Sequence, residues 1–295
     1  MSNQLPHFFV VGAQKAGTTY LHNILVEDTR FFLPRIKETH FFSDNNHEFN
    51  NGIEFYLEKY FSQAPCCAIK GEVDPEYLYF QKSAERIAQL IPKAKLIFLF
   101  RKPAERAFSH YCMTYRRGIE TLSFQDALAN EYRRIRNGSI QVKSNYSYRD
   151  RGLYGKQVQN YLNYFSIEQM LFLDSEELWN NPTTTVQKVY NFLNINYKGG
   201  EKEKDIDKNT GGMPKNLFIQ RFMAGSSFIK KAGKILLPQS VRTQIRQYLE
   251  KNNRHSGIYF EIEEKKIIEL REFYKNDVQL LSDLTGRDFG HLISG

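Results

Sequence analysis

Four consecutive apolar residues, Phe8-Phe9-Val10-Val11, run directly into Gly12-Ala13-Gln14-Lys15-Ala16-Gly17 and then into Thr18-Thr19-Tyr20-Leu21-His22-Asn23-Ile24-Leu25. A short continuous apolar run reads as a strand covered on both faces. Leu21, Ile24 and Leu25 fall on one side of a helix. Strand, glycine-bearing loop and helix in that order open a parallel α/β fold. The apolar run is too short for a signal-peptide core, so the expected compartment is the cytoplasm.

The rest of the chain keeps the alternation. Ala68–Glu72 reads as a short strand, Ser83–Ile91 as a helix stopped by Pro92, and Lys95–Phe100 as the clearest buried strand. Pro103 opens a helix through Tyr111. Helices follow over Phe124–Arg136, Tyr154–Phe165 and Pro182–Leu193, with a strand at Gln169–Leu173. Lys198–Asn216 is rich in glycine and charge and reads as a long mobile loop. Ile262–Leu284 is the longest helical candidate, with Ile267, Leu270, Tyr274, Val278 and Leu281 on one face. The expectation is one domain over 1–295: a P-loop-like, three-layer fold with a central parallel sheet between helices and a helical C-terminal region.

The charge balance is +8 over 295 residues, which favours anionic ligands. It is spread along the chain, and so lacks the basic stripe of a nucleic-acid module. No apolar run approaches the roughly 20 residues of a membrane helix. Cys66, Cys67 and Cys112 are odd in number and form no CxxC, which argues against a disulfide framework or a zinc site.

The loop can hold an anion. Backbone N–H groups and a helix N-terminus converge there, and glycines admit close approach. Against the triphosphate-loop pattern G-x-x-x-x-G-K-[ST], Gly12 and Gly17 keep the spacing and Thr19 the hydroxyl. Thr18 stands where the lysine belongs, and the lysine is Lys15, three positions earlier. That suits a diphosphate-like group better than a magnesium triphosphate. Arg101 ends the strongest strand, and Ser109 follows eight residues on. An arginine at a strand's carboxyl end faces the ligand crevice of an open sheet, and its fork suits a phosphate. Taken singly, Arg101 also reads as a salt-bridging arginine and Ser109 as a surface serine.

Together, Gly12–Thr19 and Leu96-Ile97-Phe98-Leu99-Phe100-Arg101-Lys102-Pro103-Ala104-Glu105-Arg106-Ala107-Phe108-Ser109-His110-Tyr111 resemble the two nucleotide motifs of sulfotransferases that use 3′-phosphoadenosine 5′-phosphosulfate (PAPS). Lys37-Glu38-Thr39-His40-Phe41-Phe42 resembles the K-E-x-H-F-F segment of the heparan-sulfate-type branch and its bacterial relatives. Gly71-Glu72-Val73-Asp74-Pro75-Glu76-Tyr77 and Arg151-Gly152-Leu153-Tyr154 also look familial, although the branch often carries lysine where Val73 stands. The resemblance implies that Gly12, Lys15, Ala16, Gly17, Thr18 and Thr19 hold the 5′-phosphosulfate. Arg101 and Ser109 would hold the 3′-phosphate, and Lys215 in the late loop would close over the donor. It implies Glu38 as general base, with His40 as the alternative, whose ordinary pKa lies near neutrality. Lys15 would stabilise the leaving phosphate and Lys37 the sulfuryl oxygens. Lys37, Phe41, Glu72, Tyr77 and Tyr154 would line the acceptor, and the product would be 3′,5′-bisphosphoadenosine (PAP), with no metal.

Two other readings compete. A small-molecule kinase using ATP and magnesium would draw on Met170–Asp174, a strand ending in an acid. A non-enzymatic anion or nucleic-acid binding module would stack bases on Tyr146, Tyr148 and Tyr154. The acceptor is expected to be a sugar, small molecule or natural product offering a hydroxyl or amine.

Overall fold

Phe8–Gly12 forms β1, all five residues buried, and Thr18–Glu27 forms α1. The computed structural model describes residues 5–43, 47–197 and 262–295, with the backbone of 213–214 and 254–255. Further strands are Phe31–Phe32 (β2), Ile69–Val73 (β3), Lys95–Phe100 (β4) and Met170–Asp174 (β5). They make one parallel sheet in the order β2-β3-β1-β4-β5. Helices between them are Gly52–Phe61 (α2), Gln81–Leu90 (α3), Pro103–Arg116 (α4), Phe124–Ile135 (α5), Ile140–Tyr146 (α6) and Tyr154–Leu162 (α7). After β5 come Ser175–Asn180 (α8), Pro182–Phe192 (α9) and Glu264–Thr285 (α10). The fold is the expected parallel sheet flanked by helices. Helices α2, α6 and α8 were not legible as separate elements.

The described chain divides into two compact units: 1–107, 149–203 and 267–295 in the first, 108–148 and 204–266 in the second. The first holds the sheet. Its core is built from the continuous apolar strands: Leu96, Ile97, Phe98, Leu99 and Phe100 are all 0% exposed. Tyrosines extend that core. Tyr154 stacks on Phe100 at 4.6 Å between centroids, and Tyr161 meets Phe98 edge-on at 5.3 Å. The second unit packs α5 against α6. In its interior Glu120, 1% exposed, accepts from Arg134 Nη1 at 2.5 Å and Tyr148 OH at 2.9 Å. Two short strands, Met213–Pro214 (β6) and Arg254–His255 (β7), pair antiparallel. Apart from β6, the expected loop at 198–216 and Lys215 lie outside the described residues.

From β1 the chain builds outward to β3 and β2 on one side and to β4 and β5 on the other. Ligands in open α/β sheets bind where strand order reverses, beyond the carboxyl ends. There the chain after β3 folds over β1: Asp74 N donates to Val10 O at 3.1 Å and Leu78 N to Val11 O at 2.8 Å. A Cβ at Gly12 would come 2.6 Å from Leu78 Cβ, so this crossing needs the glycine. Gly12 thus makes room for Leu78. Among the described residues no helix is long and apolar enough to cross a membrane.

Candidate active site

The loop between β1 and α1 is anchored at its base, where Ala13 N donates to Leu99 O at 2.8 Å and Ala16 N to Ala13 O at 3.1 Å. Lys15 has φ 72° and Gly17 φ 102°, both left-handed. Glycine tolerates that region, but a lysine there costs on the order of 1 kcal/mol. Such a conformation persists only where its surroundings hold it, and it clusters at ligand clamps. Helix α1 starts at Thr18 with no acidic residue in its first turn, and among the described residues no side chain caps it. The positive end of the helix dipole is therefore left for an anion. Ala16 and Thr18 are buried and Thr19 is exposed. Ala16 can contribute only its backbone.

Arg101 stands at the end of β4 beside this loop. Its Nη1 donates to Lys15 O at 3.4 Å, and Nη2 and Nε reach Glu105 Oε2 at 3.2 and 3.3 Å. The Arg101 side chain keeps about a third of its surface exposed and belongs to the first unit with the loop. Ser109 lies half-buried on α4, in the second unit, so its place is given by that helix alone.

Residues Lys37 to His40 follow β2 without regular structure. Glu38 (φ 64°) and His40 (φ 56°) are both left-handed, and the residue between them explains how they are held. Thr39 Oγ1 donates to the Glu72 carboxylate at 2.5 Å, Tyr77 OH donates to the same oxygen at 2.8 Å, and Tyr56 OH donates to the other. Burial pushes the Glu72 carboxyl up to about 7, the Asp74 charge adds to that, and the three hydroxyls hold it back. Glu38 is more exposed than these groups, and its carboxylate accepts from the Lys37 ammonium.

His40 is tied to Asp74, which is 0% exposed. Its Nδ1 lies 2.9 Å from Asp74 Oδ2, and its backbone N donates to the same oxygen at 2.8 Å. The bond to Asp74 raises the His40 pKa to about 9 against the pull of burial. An imidazolium has no lone pair for a proton, so the pair suits a fixed cation rather than a base at neutral pH. Its stability contribution is fully present below the ordinary histidine value of 6.5 and is lost as pH rises through about 9. Urea midpoints should accordingly fall between about pH 7 and about pH 10, and His40→Gln should flatten that part of the profile. An unchanged slope would mean that the pair does not form in solution.

Four residues expected to line the acceptor do not present surface to it. Phe41, Tyr77 and Tyr154 are 0% exposed and Glu72 1%. Phe41 packs among Phe42, Phe49 and Tyr56. Glu72 and Tyr77 support Thr39 from behind. Tyr154 OH donates to Arg101 O at 3.0 Å and so holds the end of β4. These side chains shape the site from within, because the apolar or hydroxyl-bonded groups that build the crevice must themselves be buried. Asp174, the acid of the kinase reading, accepts from Glu176 N at 2.6 Å and Glu177 N at 3.1 Å and contacts His291 Nε2 at 2.7 Å. It caps α8. Of the tyrosines offered for base stacking, Tyr148 and Tyr154 are both 0% exposed.

Asp74, Glu76 and Arg151 escaped the sequence as site residues. They sat inside quoted motifs, but nothing local says that an acid will be buried against a distant base.

The sequence pattern of the sulfotransferase domain matches residues 5–231. Over 208 residues the chain is 31% identical to mouse bifunctional heparan sulfate N-deacetylase/N-sulfotransferase 4, covering 65% of this chain and 23% of that protein. Over 297 residues it is 28% identical to mouse heparan sulfate glucosamine 3-O-sulfotransferase 3B1, covering 98% of this chain and 65% of that protein. The chain thus spans less than two thirds of the length of either relative. Among solved structures, a sulfotransferase from Alicyclobacillus acidocaldarius superposes with a TM-score of 0.69 at 25% identity, over 98% of this chain and 99% of that one. A mouse sulfotransferase solved in complex with PAP shares the fold, with a TM-score of 0.50 at 13% identity over 95% and 86% of the two chains. With an uncapped helix start behind a displaced lysine, an arginine at the end of the neighbouring strand and a domain match over most of its length, this chain belongs to the sulfotransferase family.

Proposed function

We propose that this chain moves a sulfuryl group from PAPS to a hydroxyl or amine of a sugar or small-molecule acceptor. The observation that carries the reading is the α1 start: a left-handed Lys15, an uncapped N-terminus and Arg101 against the same loop. That donor set fits a phosphate-bearing donor, and the donor when bound supplies an activated sulfuryl group on a bisphosphate. The Thr18 and Thr19 amides bind the 5′-phosphate end, and Lys15 stabilises charge that develops on the leaving oxygen. Arg101 takes the 3′-phosphate, and the sequence motif alone adds Ser109 to that role. Glu38 takes the acceptor proton while Lys37 faces the transferring oxygens. His40, held as a cation by Asp74, supplies positive potential beside them. Acceptor class is inferred from the heparan-sulfate names of the relatives.

The capping role of Asp174 weighs against the kinase reading, and the burial of Tyr148 and Tyr154 weighs against base stacking. A thermal-shift series discriminates among the three. PAP without metal should raise the melting temperature by several degrees at saturating ligand. ATP with magnesium and a short oligonucleotide should give markedly smaller shifts. Stabilisation by ATP with magnesium above that by PAP would overturn the donor assignment. PAP release from PAPS across a panel of sugars, phenols, alcohols and amines would then identify the acceptor.

A further inference from the structure

The anion loop is held from the β3 side by a buried ion pair that the transfer chemistry does not use. Arg151 is 1% exposed as a side chain. Its Nη1 donates to Glu76 Oε1 at 2.7 Å and its Nη2 to Glu76 Oε2 at 3.1 Å. Its guanidinium lies over the Tyr79 ring, 4.3 Å from the centroid, and Tyr79 OH donates to Asp150 at 2.7 Å. Gln157 Nε2 holds the Arg151 carbonyl at 3.1 Å. The pair is therefore fixed in direction as well as position.

Glu76 passes that fixity on. Its Oε1 also accepts from Gln14 Nε2 at 2.9 Å, and Gln14 immediately precedes the left-handed Lys15. Its backbone N donates to Asp74 Oδ1 at 3.0 Å, so the same residue reaches the partner of His40. From the β4 side the loop has the longer Arg101 contact to Lys15 O. A buried ion pair is a weak source of net stability compared with apolar side chains, but it can specify one geometry.

We propose that Arg151 and Glu76 are positioning residues for the anion loop, bracing Gln14 so that Lys15 keeps its left-handed place. The binding part of the test below rests on the donor reading, whereas the exchange part does not. Three variants serve: Glu76→Leu, which also removes the acceptor for Gln14 Nε2, Arg151→Met and the double variant. Each single change strands a buried charge and endangers folding, and the double change removes both charges. Amide hydrogen exchange should quicken at Ala13 and Ala16 in the folded double variant by about tenfold, the size of one charge-assisted hydrogen bond. Exchange in β4 and β5 should stay at the wild-type rate. PAP affinity by calorimetry should fall by about the same factor, with Arg151→Lys in between. A folded double variant with wild-type loop exchange would overturn the brace, and so would exchange that rises equally throughout the sheet. Should the wild-type protein fail to bind PAP, the donor reading falls and the exchange comparison alone decides the brace.

Discussion

Alanine in place of Lys15 is expected to cut turnover by about 10²- to 10³-fold, the usual loss for one donor aimed at developing charge. Lys15 sits in the loop that ends at the uncapped start of α1, with Arg101 donating to its carbonyl. Those backbone features survive the substitution, because the Lys15 carbonyl and the Thr18 and Thr19 amides remain. PAP binding should therefore weaken far less than turnover, and calorimetry beside steady-state kinetics reads the two separately. Circular dichroism should confirm an intact fold. Wild-type turnover in a folded Lys15→Ala protein would remove the lysine from the chemistry, whereas equal losses in PAP affinity and turnover would make it a binding residue only.

The second large effect is expected at Glu38. Glu38→Gln keeps the size of the side chain but removes the proposed proton acceptor, and kcat should fall by about 10²- to 10⁴-fold. PAP affinity should be unchanged, since Glu38 lies in the segment after β2 rather than in the anion loop. His40 cannot take over at neutral pH, because Asp74 keeps its pKa near 9. Residual activity of Glu38→Gln should consequently rise only as pH passes that value. A Glu38→Gln enzyme with a wild-type rate and pH profile would assign the base elsewhere.

Much of the candidate site was legible because its donor half is written locally. Gly12, Lys15, Gly17, Thr18 and Thr19 occupy one stretch of chain, and the displacement of Lys15 from the usual lysine position is a matter of counting. Arg101 was legible because the strand before it is so strongly apolar. The acceptor half was read less well. Phe41, Glu72, Tyr77 and Tyr154 stand in the expected neighbourhood yet point into the core. An aromatic or acid in a motif reveals its segment, but its facing depends on which strand packs behind it. Two of the missed helices had different causes. Helix α2 has no side-chain cap at its start and buries only Tyr56 and Phe61, so its apolar signal is spread over aromatic residues. Helix α8 is six residues long, and its cap is the last residue of β5.

By itself the sequence determined four of the sheet's five strands, β2 excepted, the order in which loop and helix follow them, and the residue types of the loop from β1 to α1. Those features follow from apolar runs and from glycine and lysine spacing over a dozen residues. Tertiary structure alone decided which groups hold the site in shape. His40 meets an acid 34 residues away, and Arg151 meets Glu76 across 75. Parallel pairing of β3 with β1 brings the segment after β3 over the end of β1, and there Asp74 and Glu76 find their partners. Burial then made those meetings obligatory, since an acid removed from water must be paired or hydrogen-bonded.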